Sequence, residues 1–248
     1  MKPSGENIEA ASLAERLCSN GNKCPIPFTH DRLWETHHWW HEMARFYHEP
    51  LPFRYSLGAF IQAARNVTFM LQKEQEAFRD FSWYATWRDR AKADSLLKWL
   101  HDTRNDFVHA QALEPYSWLS MRCLDGKPVF DEDEPPFLEV SPFESTLFYI
   151  NWMHGLPCDH PHEWERFWGI NTLPHRELLQ TCAEIYDRMD DLVHEAHRRL
   201  GAELASHRTA ESQRALPCME NILKHRIVRT VIRDGREILE EVPQAPTH

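Results

Sequence analysis

The sequence predicts a mainly α-helical protein: a helical bundle with small β-hairpin additions in its C-terminal half. Three observations carry that expectation. Apolar residues recur at i, i+3, i+4 and i+7 over several long segments. Only 8 glycines occur in 248 residues, which argues against a turn-dense all-β fold. Two Asp-Gly pairs, Asp125-Gly126 and Asp234-Gly235, sit between apolar runs as two-residue hairpin turns should.

Residues 1–27 read as a flexible leader, with the Ser19-Asn20-Gly21-Asn22 turn and Pro25 and Pro27. From Thr29 the pattern is helical up to the break at Pro50-Leu51-Pro52. A second helix is expected from Tyr55 to Arg79, with Leu57, Phe60, Ile61, Ala64, Val67, Thr68 and Leu71 on one face. Phe81 to Trp87 reads as a short helix or turn, and a third long helix as Ala91 to Leu113, stopping before Pro115. Tyr116 to Phe130 reads as a hairpin about Asp125-Gly126, followed by an acidic loop at 131–136. Residues 137–170 are apolar but weakly periodic and receive no assignment. A long helix is expected from Asn171 to Arg199, and a closing hairpin from His225 to Val242. The domain division that follows is a leader (1–27), a helical core (28–115), a mixed elaboration whose late helix packs on that core (116–205), and a tail with a hairpin (206–248).

Composition removes several function classes. The formal charge is −10, so a broad, salt-driven grip on duplex nucleic acid is not expected. No run approaches the ~18 apolar residues of a membrane span, and the N-terminus lacks the apolar stretch of a secretory signal. Six cysteines without a CxxC pair suggest reduced thiols and a cytoplasmic location. Nucleotide-loop and serine-hydrolase fingerprints are missing.

The segment His101-Asp102-Thr103-Arg104-Asn105-Asp106-Phe107-Val108-His109 carries the chemistry. On one helix, at about 100° per residue, Leu96, Leu97, Leu100, Phe107 and Val108 share an arc with Arg104. A guanidinium cannot shed its charge, so a carboxylate, a partner subunit or a phosphate must meet it. His101, Asn105 and His109 form a polar stripe beside that arc, where Asn105 can orient the His109 imidazole. Alternatively, Asp102 or Thr103 caps a new helix whose free N–H groups favour an anion. The plainer reading makes Arg104 and His109 surface residues paired with Asp102 or Asp106. Arg65-Asn66 repeats the Arg-Asn pair one helix earlier and faces either the same groove or a packing contact.

Arg-Asn-x-x-x-His after a leucine-rich helix resembles the signature of the HEPN superfamily (higher eukaryotes and prokaryotes nucleotide-binding). The upstream run Phe53-Arg54-Tyr55, Ala59 to Phe69 and Trp83-Tyr84 extends the likeness to uncharacterised bacterial HEPN-like proteins over about residues 30–113. The resemblance implies a homodimeric helical bundle and a metal-independent endoribonuclease of toxin or phage-defence type, with an antitoxin or defence-system partner. By that likeness His109 is general acid or base, Arg104 stabilises the phosphate and Asn105 orients. Arg65, Asn66 and His101 would bind the RNA or nucleotide. Many such domains only bind. The Tyr that some toxins carry two residues after the His is Gln111 here.

No metal or cofactor is expected. His37-x-x-x-His41 has chelating spacing, and Glu35-x-x-His38 with Asp191-x-x-His194 and His197 could form two halves of a bundle site. Histidines beside Trp39 and Trp40 more often pack or face solvent. Cys158, His160 and His162 lack a second ligand pair nearby. Trp83, Trp87 and Trp99 could stack bases, but at helical spacing are more often core.

Overall fold

The computed structural model describes residues 23–109, 113–123, 137–153, 162–202, 217–234 and 236–242. Helix α1 (Pro27–Arg45) opens with proline where a missing N–H costs nothing. Its cap comes from far along the chain: the Glu74 carboxylate accepts the N–H groups of Phe28 and Thr29 at 3.0 and 2.8 Å. Helix α2 (Pro50–Lys73) turns the expected Pro50-Leu51-Pro52 break into a first turn, for the same reason. Its buried face contains every position named in the sequence. A 3-10 turn at Gln75–Ala77 leads to α3 (Trp83–Ala93) and α4 (Ser95–His109). The single helix expected over 91–113 is therefore split at Asp94, whose Oδ1 accepts the N–H groups of Leu96 and Leu97 at 2.9 and 3.0 Å.

The second half corrects the predicted fold class. Strands β1 (Pro115–Cys123), β2 (Leu138–Val140) and β3 (His162–Ile170) join β4 (Ile227–Arg233) and β5 (Arg236–Glu241) in one antiparallel sheet ordered β2-β1-β3-β4-β5. Helix α5 (Thr146–Met153) lies between β2 and β3; α6 (Leu178–Arg199), α7 (Pro217–Glu220) and α8 (Leu223–Arg226) precede β4. The protein is mixed α and β rather than a helical bundle with hairpins added. Its central strand escaped the sequence because β3 inverts the usual polarity. Arg166 is fully buried on the inward side beside Trp164 and Trp168, while Phe167 points outward. The closing hairpin holds as expected, with Arg233 opposite Arg236 across Asp234-Gly235. The return strand of the first expected hairpin, Lys127 to Phe130, lies outside the described residues; β1 pairs with β2 over Ser117–Leu119 and with β3 along its whole length.

One core unites the two halves. Leu57, Phe60 and Ile61 of α2 pack with Trp168 and Ile170 of β3 and Cys182 and Met189 of α6. The sheet carries a smaller cluster under α5, made by Leu119, Val140, Ile150, Trp164 and Val228. On the opposite face Tyr116 lies flat over Gly169, where an added Cβ would sit 2.4 Å from the ring. Gly169→Ala is expected to lower stability by about 1–3 kcal/mol, since the strand must shift or the ring must lift. A urea melt checks it, and an unchanged midpoint would show that Tyr116 moves freely. Among the described residues no helix is long and apolar enough to cross a membrane.

Candidate functional site

A pocket of about 440 Å³ opens between α2, α3 and α4, with Met189 of α6 on its inner wall. Each helix lends it the flank beside its buried stripe, so the lining follows i, i+3, i+4 spacing. From α2 come Arg65 and Gln72, from α3 Tyr84, Trp87, Arg88 and Lys92, and from α4 Lys98, His101 and Asp102. Four permanent cations and a histidine thus face one carboxylate, in a chain whose net charge is −10.

The geometry is that of an anion site beside a flat apolar wall. Phe81, Tyr84 and Trp87 stack in series, with centroids 5.0 and 5.5 Å apart and planes within 15° and 19°. Gln72 Nε2 donates to the Tyr84 hydroxyl at 3.2 Å, and Arg65 donates to Thr68 Oγ1. Burial lowers the Arg65 pKa, and the nearby positive charge of Arg104 lowers it further. Lys98 pairs with Asp102, and Lys92 with Asp89 at 3.3 Å. Among the described residues no carboxylate pairs with Arg65 or Arg104. Two half-buried guanidiniums within electrostatic reach of one another destabilise each other, and an anion between them removes that cost.

Arg104 is half-buried at the edge of the α4 core face, which is made by Leu96, Trp99, Leu100 and Thr103. The inward arc therefore sits one position away from the expected one, and Arg104 lies outside the pocket lining but close enough for its charge to lower the Arg65 pKa. Asn105 Nδ2 lies 3.2 Å from His101 Nε2. His109 ends α4, and its side chain lies outside the described ones. Asn66 is half-buried next to Arg65 but does not line the pocket. Sequence reasoning missed Arg88, Lys92 and Lys98; their spacing along α3 and α4 was visible, but not the meeting of those helices. Trp83 and Trp99 are core, while Trp87 is half-exposed at the pocket.

The histidine clusters resolve differently. His37 and His41 converge on Cys218, with His37 Nε2 3.2 Å from the sulfur and 3.1 Å from His41 Nε2. Burial and the Lys224 charge lower the His41 pKa. His197 meets Cys24 and His30 instead. The two half-sites do not combine among the described residues: Glu35 bonds to Arg32, and His194 Nδ1 lies 3.2 Å from Asp190. Cys158 and His160 lie outside the described residues, and His162 starts β3.

Comparison with known proteins overturns the HEPN resemblance. Protein ea47 of Escherichia phage lambda is 29% identical over 152 residues, which cover 58% of this chain and 37% of that protein. The chain thus spans well under half the length of this relative. No solved structure matches it. Neither the ea47 similarity nor the five-stranded sheet points to HEPN. The labels of helical bundle, toxin, phage-defence protein and endoribonuclease lose the resemblance on which they rested. The sequence matches the family described as bacteriophage lambda protein ea47 over residues 18–245, and the chain belongs to that family.

Proposed function

We propose that this chain binds a phosphorylated planar ligand, a nucleotide or the end of a single-stranded RNA, in the pocket between α2, α3 and α4. One observation carries the reading: Arg65 and Arg104 sit half-buried within electrostatic reach of one another, with no carboxylate partner among the described residues. A phosphate accepts paired N–H bonds from guanidinium better than from ammonium, which gives the arginines the central role. Trp87, half-exposed at the pocket and backed by Tyr84, supplies the ring on which a base can stack, and Lys98 and His101 line the rim. The chain's net charge of −10 repels a long phosphate backbone, so the pocket suits one or a few phosphates rather than a duplex.

Intrinsic tryptophan fluorescence is titrated with adenosine and guanosine nucleotides and with a short 5′-phosphorylated RNA, and the change that Trp87→Phe removes is the signal from the pocket. Arg65→Gln and Arg104→Gln are each expected to weaken binding about 10- to 100-fold, the size of a lost charge-assisted hydrogen bond, with unchanged circular dichroism. Equal affinity in wild type and both variants would contradict the reading. Incubating labelled RNA with excess EDTA asks separately whether binding leads to cleavage. Cyclic-phosphate ends made by wild type but not by His109→Ala would extend the reading to catalysis by His109.

A further inference from the structure

We propose a second site, independent of the pocket: a buried metal centre in which Cys24, His30 and His197 hold a zinc-class ion that staples the start of α1 to the end of α6. The three side chains are all buried and their ligand atoms lie within 4.8 Å of one another. Cys24 Sγ is 3.2 Å from His197 Nε2 and 3.6 Å from His30 Nδ1. Bond lengths of about 2.3 Å to sulfur and 2.0–2.1 Å to nitrogen place S and N about 3.6 Å apart on a tetrahedron. The Cys24–His30 separation matches that edge, and the Cys24–His197 separation of 3.2 Å is slightly shorter.

The chemistry selects the metal. One thiolate and two imidazoles favour zinc-class or cuprous ions over magnesium or calcium, which take oxygen. The backbone fixes the tautomer of one ligand: His197 Nδ1 lies 2.8 Å from the Val193 carbonyl, which can only accept, so the proton sits on Nδ1 and the Nε2 lone pair faces Cys24. Binding the ion releases the Cys24 thiol proton to solvent, and the ion then carries the charge of the buried sulfur. The trio joins residues 173 apart in sequence, so the ion also closes a long loop. The other trio, His37, His41 and Cys218, is half-exposed, and its two Nε2 atoms sit at hydrogen-bonding distance.

The experiment uses the full chain carrying Cys218→Ser, which disables that other trio. Metal-free protein is titrated with Zn²⁺ and, in parallel, Co²⁺. The expected result is one tightly held equivalent, a thiolate-to-cobalt charge-transfer band, and a melting temperature raised by zinc. Adding Cys24→Ser should abolish the band and the zinc-induced rise, and His197→Gln should weaken affinity at least 100-fold. If His197→Gln fails to fold, His30→Gln serves the same purpose. Absence of a stoichiometric ion in the Cys218→Ser protein, or a band that survives Cys24→Ser, would overturn the proposal. Neither result bears on nucleotide binding at Arg65 and Arg104, which are absent from this trio.

Discussion

Arg166→Ala is expected to cost about 3–5 kcal/mol of stability, the range for breaking a buried charged network. The side chain is fully buried on β3 and ties four segments together. Its Nε donates to Ser117 Oγ at 2.8 Å, Nη1 to Thr146 Oγ1 and the His48 carbonyl at 3.3 and 3.4 Å, and Nη2 to the Ser141 carbonyl at 3.4 Å. The guanidinium also lies 4.3 Å from the Trp168 ring, and burial lowers its pKa to about 10. Truncation strands four acceptors in a site that water does not reach. Arg166→Lys keeps the charge but not the fork, so it should recover less than half of the loss. Urea denaturation measures both. A cost under about 1 kcal/mol for alanine would mean that the network relaxes and that Arg166 does not hold sheet and helices together.

Acidification is the second large effect. His48 is half-buried with its Nε2 2.8 Å from the His225 carbonyl, so that nitrogen carries the proton, and its Nδ1 accepts from Thr146 Oγ1 at 2.9 Å. Burial, reinforced by the Arg166 charge, lowers its pKa to about 3 from 6.5. The unfolded chain takes up a proton near pH 6.5, whereas folded His48 resists until about pH 3. The stability that neutral His48 contributes is therefore complete above pH 6.5 and is lost as pH falls through this window. A shift of that size corresponds to about 5 kcal/mol. His225, lowered to about 4 by burial and Lys224, acts in the same direction. Glu177, whose pKa burial raises, acts in the opposite one. The urea midpoint should fall steadily from pH 7 to pH 4, and His48→Gln should flatten that slope. A midpoint constant between pH 7 and 5 would contradict the account.

Sequence periodicity was enough for α2, because its core face is apolar but for Ser56 and Thr68. The β4–β5 turn was equally plain: Asp234 adopts a φ of 53°, which Asp-Gly turns accommodate. The rest depends on partners distant in sequence. Glu74 caps α1 from the end of α2, and Asp94 splits one apparent helix while accepting from Arg188 of α6 at 2.7 Å. Strand β3 hid because Arg166 occupies a core position. At the pocket, Arg65 and His101, with Arg104 beside it, could be singled out by residue type and spacing, but the wall from α3 required the packed structure. Cys24 and His30 were six residues apart in plain view, yet the third ligand, His197, comes from α6.

The most direct measurement of the central claim is nucleotide affinity as a function of salt, in wild type, Arg65→Gln and Arg104→Gln. Wild type should bind measurably, with an affinity that falls as salt rises. Each arginine replacement should lower the affinity and make the slope of log K against log salt shallower. Binding with the same affinity and slope in all three proteins would place the ligand elsewhere and contradict the assignment of the pocket.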